Sequence, residues 1–131
     1  MDSRDDTKNW ENEMLEKYGW YIHYQTDGNR IDAHTHGLSE NFNHPDLQIV
    51  LPISHEAVQG IFRELVDQIK EGKVFEEGKR YDAMIGGKYQ VEFIKVPESG
   101  REVLRILFPD PKGKLPSEED CDPMYRRQWM H

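Results

Sequence analysis

Two hydrophobic rhythms alternate along the chain, one of period near four and one of period two, and the switches between them mark the elements. From Thr7 to Tyr18 the apolar side chains Trp10, Met14, Leu15 and Tyr18 fall at i, i+4, i+5 and i+8, which is one face of a helix. Glu13 and Lys17 form an i,i+4 pair in the favourable order. Gly19 is placed to end this helix in the left-handed conformation. Residues 1–6 carry no such pattern and read as a frayed, acidic start.

Period two then takes over. Trp20, Ile22 and Tyr24 alternate with Tyr21, His23 and Gln25, and Ile31, Ala33 and Thr35 alternate with Asp32, His34 and His36. Asp27-Gly28 between the two runs is a hairpin signal. Pairing Thr26 with Asn29 predicts Tyr24 on Ile31, Ile22 on Ala33 and Trp20 on Thr35. The other face then sets His23 opposite Asp32 and Tyr21 opposite His34. Leu38 to Pro45 reads as a polar loop, with Pro45 holding His44 extended. Leu47 to Leu51 is a nearly continuous apolar run, as a central strand requires.

The four-residue rhythm returns after Ser54, a natural N-cap. Ile53 and Val58 stand where a hydrophobic staple would clasp the helix start. Ala57/Val58, Ile61/Phe62, Leu65/Val66 and Ile69 lay an apolar stripe over four turns. Gly60 inside it costs about 1 kcal/mol against alanine, which suggests close packing there. Gly72 ends the helix.

Beyond it, Glu76-Glu77-Gly78-Lys79 reads as a turn, Tyr81 to Ile85 as a short strand and Gly86-Gly87 as a tight turn. A second hairpin follows around Pro97-Glu98-Ser99-Gly100. Pairing Val96 with Arg101 sets Phe93 on Leu104, Val91 on Ile106 and Tyr89 on Phe108. The same register puts Lys95 opposite Glu102 and Glu92 opposite Arg105, which argues against a slipped pairing. Residues 109–131 read as an irregular segment packed on the body through Met124, Tyr125 and Trp129. The order of elements predicts an α+β fold. Its sheet has five to six strands, mainly antiparallel or mixed, with one long helix on one face and a short N-terminal helix.

Composition narrows the class. The 131 residues are the length of one domain, expected to span 1–131. A net charge of −8 repels polyanions, so a nucleic-acid partner is not expected. Cys121 is the one cysteine, which excludes an internal disulfide and fits a reducing compartment. No run approaches the roughly 20 apolar residues of a membrane span, and the N-terminus shows no signal-peptide pattern. A cytoplasmic protein is expected, with its oligomeric state open and a homodimer among the options.

Candidate chemistry gathers at the strand-loop-strand corner of residues 33–51. His34 and His36 lie two apart, so both rings leave one face of a strand. That suits two ligands of a divalent metal, with His44 as a third. Asp32 or Asp46 would add an oxygen or an outer contact, and Asp32, Glu40 or His44 would be the candidate base of a metal-dependent hydrolase. The ordinary alternative is strand histidines paired with tyrosine and carboxylate neighbours, and a His44 that anchors its loop to backbone. His55 is expected at an exposed helix start.

Other combinations are weaker. His23 and Asp32 lack an activated nucleophile, and Ser39 and Ser54 lack a nucleophile elbow. Cys121 sits among acidic residues that raise a thiol pKa. Gly86-Gly87-Lys88 lacks the helix of a phosphate loop. Arg126 and Arg127 beside Tyr125 and Trp129 suit either an acidic partner or an ordinary charged surface.

The run Thr35-x-Gly37-Leu38, then His44-Pro45-Asp46-Leu47, and later Phe108-Pro109-Asp110-x-x-Gly113-x-Leu115-Pro116 with Gln128 near the end, resembles the bacterial family known as domain of unknown function 4262. The resemblance covers roughly residues 18 to 129. His34 and His36 stand where the family usually has an aromatic and an aliphatic residue, and Ser117 where it usually has tryptophan. Among the histidines only His44 sits on a family position. The family carries no established activity, so the resemblance supports the fold and leaves three expectations for function. The first is a non-enzymatic binding or interaction module, whose partner is a protein or a small molecule and which needs no cofactor. The second is the divalent-metal hydrolase. The third is a small-molecule pocket between helix 54–72 and the sheet.

Overall fold

The computed structural model describes residues 3–27, 30–51, 53–82, 90–98 and 100–130. They form an α+β fold of four helices and a six-stranded mixed sheet. Helix α1 (Ser3–Tyr18) leads into the hairpin β1 (Tyr21–Asp27) and β2 (Arg30–His36). A short helix α2 (Leu38–Asn41) turns the corner to β3 (Asp46–Leu51), and α3 (His55–Lys70) follows. Then come β4 (Arg80–Asp82), β5 (Gln90–Glu98), β6 (Arg101–Leu107) and α4 (Pro123–Met130). The strand order is β1-β2-β3-β6-β5-β4. Among the described residues only the β3–β6 pair is parallel. It is the seam between an N-terminal and a C-terminal ribbon.

Strand β3 is buried at all six positions, because it has a neighbour on each side and protein on both faces. Helix α3 buries Val58, Ile61, Phe62, Leu65, Val66 and Ile69, the stripe its sequence predicts. These side chains pack with Ala33, Leu47, Ile49, Phe93, Leu104 and Ile106 in one apolar core. Ser54 caps α3 by accepting from the Ala57 N–H at 3.1 Å.

Two expectations about the helices are corrected. The N-terminal helix is not short: α1 and α3 each have 16 residues, and α1 starts at Ser3 rather than Thr7. Residues 109–131 are not irregular throughout, since α4 occupies eight of them. The buried side chain of α4 is Gln128, at 1% exposure, whereas Met124 and Trp129 are 53% and 46% exposed. A helix anchored by a glutamine has no apolar stripe to betray it.

Both hairpin registers differ from expectation by two residues, in the same direction. Tyr24 pairs with Ala33 rather than Ile31, and Ile22 with Thr35. Phe93 pairs with Ile106 rather than Leu104, and Val96 with Val103. The first ribbon keeps a two-residue connection, moved one position on to lie between Asp27 and Arg30, and the second shortens to two residues between Glu98 and Arg101. Gly100 has φ +82°, the left-handed conformation such a short connection needs. A shift of two preserves every face, because side chains alternate with period two. Apolar matching therefore cannot detect it. The cross-strand charge pairs dissolve: Lys95 lies opposite Leu104 and Glu92 opposite Leu107. Glu92 instead takes Arg80 of β4 at 2.8 Å.

Two glycines behave differently. Gly37 (φ +104°) sits where α1, β1 and α2 meet, and a Cβ there would lie 2.5 Å from the Gly19 carbonyl oxygen. Gly60 is exposed and a Cβ would meet nothing within 4 Å, so the expected close packing is absent. Gly60→Ala should stabilise the domain by about 0.5–1 kcal/mol through helix propensity alone. Urea unfolding measures this, and a loss of stability would show that the site is crowded after all. The turn at Gly28, the Thr26–Asn29 pair, the Tyr89–Phe108 pair, the Gly86-Gly87 turn and the end of the Tyr81–Ile85 strand fall wholly or partly outside the described residues.

Candidate functional site

The corner between β2 and β3 is built around one carboxylate. Asp46, 2% exposed, accepts from Thr35 Oγ1 at 2.8 Å and from the Leu38 N–H at 3.1 Å. Arg101 of β6 donates to its other oxygen at 2.6 Å and to the Thr35 carbonyl at 2.9 Å. The Thr35 hydroxyl in turn accepts from the Leu47 N–H at 2.9 Å. Three donors from the fold thus converge on Asp46. It fastens β2, α2, β3 and β6 together as a structural hub.

The histidines divide into two groups. His34 and His36 share one face of β2, with ring centroids 4.9 Å apart. The observed register sets His23 directly opposite His34, at 5.0 Å between rings and 6.0 Å from His36. Sequence matching paired His23 with Asp32, so this third ring was missed; placing the two-residue connection at Gly28-Asn29 instead of Asp27-Gly28 would have found it. Tyr21 stacks on His36 at 5.0 Å and 16°, and its hydroxyl is pushed above its ordinary pKa by burial and by Glu11. His34 is 4% exposed, and its Nδ1 has no hydrogen-bond partner. Asp32 Oδ1 stands 3.8 Å from that nitrogen and accepts from Gln48 Nε2 at 3.0 Å. His36 Nε2 lies 3.5 Å from Arg101. Burial first, then Arg101 and the two other imidazoles, lower the His36 pKa to about 4.

His44 does not join them. Its Nε2 accepts from the Phe75 N–H at 3.0 Å, and its Nδ1–H donates to the Pro45 carbonyl at 2.8 Å. Both ring nitrogens are thus committed to backbone. Glu40 is exposed on α2. Among the described residues, no three histidine, cysteine or acidic side chains stand as a ready metal site.

The other described candidates are engaged in contacts within the fold. His55 stacks on Tyr24 at 4.2 Å. Cys121 is buried, and burial together with Asp110 raises its thiol pKa. Arg126 donates to the Glu118 carbonyl at 2.7 Å. Gly86-Gly87-Lys88 lies outside the described residues. Asp110 accepts from the N–H groups of Lys112, Lys114 and Asp122 at 2.8–2.9 Å. Gln128 pairs with both backbone groups of Phe108, each at 2.9 Å.

A separate concavity of about 380 Å³ opens between α3, the ends of β3 and β6, and α4. Leu51, Ala57, Ile61, Ile106, Phe108 and Tyr125 contribute to its walls, with Glu64 and Asp110 as its carboxylates. Asp110 is already satisfied by backbone donors, which leaves Glu64 as the carboxylate available to a ligand.

Among the described residues no helix is long and apolar enough to cross a membrane. No curated protein matches the chain, and no solved structure does. A family model described as a domain of unknown function matches residues 14–122, a span that holds the Asp46 hub, the histidine face and the concavity walls other than Tyr125, so the chain belongs to the DUF4262 family.

Proposed function

We propose that this domain is a non-enzymatic binding module that takes a small, largely apolar molecule in the concavity beside α3. The observation that carries this reading is the concavity itself. Its volume of about 380 Å³ lies within the roughly 300–1,000 Å³ of small-molecule sites. Its walls are mainly aliphatic and aromatic, as such sites require. Neither lysine nor arginine is among its lining residues, so a ligand carboxylate would find no cation there. A neutral or cationic molecule, with its polar end near Glu64, fits better.

A neutral fluorescent probe tests the reading. Nile red should bind the full chain saturably, with one site per molecule. Ala57→Trp would fill the space from an exposed first turn of α3 without touching the core. That variant should weaken probe binding by about tenfold or more, since each 1.4 kcal/mol is a factor of ten. Non-saturable binding, or equal affinity in the variant, would overturn the proposal.

A further inference from the structure

We propose that His23, His34 and His36 bind one divalent transition-metal ion, with zinc the expected occupant, on the face of the β1–β2 ribbon turned away from α3. This is independent of the concavity. The register supplies the geometry: His34 and His36 are two residues apart on β2, and His23 is the direct cross-strand partner of His34. Side chains so placed leave the same face. Three imidazoles bound to one tetrahedral ion at about 2.0–2.1 Å have ring centroids roughly 5 Å apart. The observed separations are 4.9, 5.0 and 6.0 Å. Two of the three separations already match that spacing, and the His23–His36 pair must draw closer.

The nitrogens do not yet converge, and the rings must turn about their soft outer torsion to do so. His34 has a reason to respond. Its Nδ1 is buried with no partner, a state that costs free energy. Ligation through Nε2 would let Nδ1–H close on Asp32 Oδ1, now 3.8 Å away. A carboxylate behind a ligating histidine is the usual outer support of such a site. The Arg101 charge near His36 is met by Asp46 at 2.6 Å, so the ion would face a compensated pair. An all-imidazole set suits zinc, copper or nickel rather than magnesium or calcium. The His-x-His pair plus a cross-strand histidine leaves the fourth position to water.

The test is equilibrium dialysis of untagged full chain against Zn²⁺, with Co²⁺ absorption as a report on tetrahedral coordination. One ion per chain is expected for the unaltered protein, and His23→Gln should weaken binding by more than the 10–100-fold lost with an outer-shell partner. His55→Gln, whose ring stacks on Tyr24, should leave it unchanged. Failure of the unaltered chain to bind zinc would overturn the proposal, whatever the variants do. So would full retention in His23→Gln, or equal loss in His55→Gln.

Discussion

Asp46→Ala is expected to destabilise the domain by about 3–5 kcal/mol, the cost of stripping one partner from a buried ion pair. The carboxylate is 2% exposed, and its removal leaves the Leu38 N–H and Thr35 hydroxyl without their acceptor. Arg101 keeps the Thr35 carbonyl and is 28% exposed, so water can reach it and the loss falls toward the lower figure. For a domain of this length the melting temperature should drop by roughly 10–20 °C. Asp46→Asn should cost less, because its amide oxygen can still accept from Thr35 and Leu38, although its NH₂ is a donor and cannot replace the bond from Arg101. Thermal melts and urea unfolding check both. A loss below about 1 kcal/mol for the alanine variant would show that Asp46 is not the fastening described.

The second large effect concerns His44 and depends on pH. At pH 7.5, His44→Ala should cost about 2–4 kcal/mol, from a vacated buried site and an orphaned Phe75 N–H. In acid the gap should narrow. Burial holds the His44 pKa below its ordinary value of 6.5, partly opposed by the Pro45 carbonyl and Asp46. The folded state therefore binds this proton less readily than the unfolded chain. The contribution is present in full above pH 6.5 and is lost as pH falls from there through the folded value. Protonation at Nε2 also removes the acceptor that Phe75 N–H uses. Carboxylates titrate in both proteins, so the difference between wild type and variant isolates this ring. A gap of equal size at pH 7.5 and pH 5 would contradict the neutral acceptor state of His44.

Helix α3, the two ribbons and the central strand were legible because each is written in a local period. The registers were not. Tyr24 against Ile31 looks as good as Tyr24 against Ala33 when only faces are compared, and both leave a two-residue connection, so only the choice of turn residues separates them. That two-residue difference replaces Asp32 by His34 as the partner of His23, and so changes the composition of the candidate site. The Asp46 hub was illegible for another reason. Thr35, Asp46 and Arg101 are separated by 11 and 55 residues along the chain, and polar contacts at such range leave no periodic trace. The family resemblance pointed to Thr35 and Asp46, and not to Arg101, without giving their role. Thr35, His44, Asp46, Asp110 and Gln128 all prove to hold backbone or side-chain polar groups. His34 and His36, which depart from the family pattern, stand outside that scaffold.

The seam between β3 and β6 also shapes how the chain comes together. Each ribbon spans a two-residue connection and can assemble in about 1–10 μs. The seam joins residues such as Gln48 and Arg105, 57 positions apart, and closing so long a segment costs entropy before any contact rewards it. Until the halves dock, β3 presents an uncovered apolar edge to other chains. Misassembly during refolding should therefore begin at Leu47–Leu51, and dilution or co-synthesis of both halves is the remedy the topology suggests.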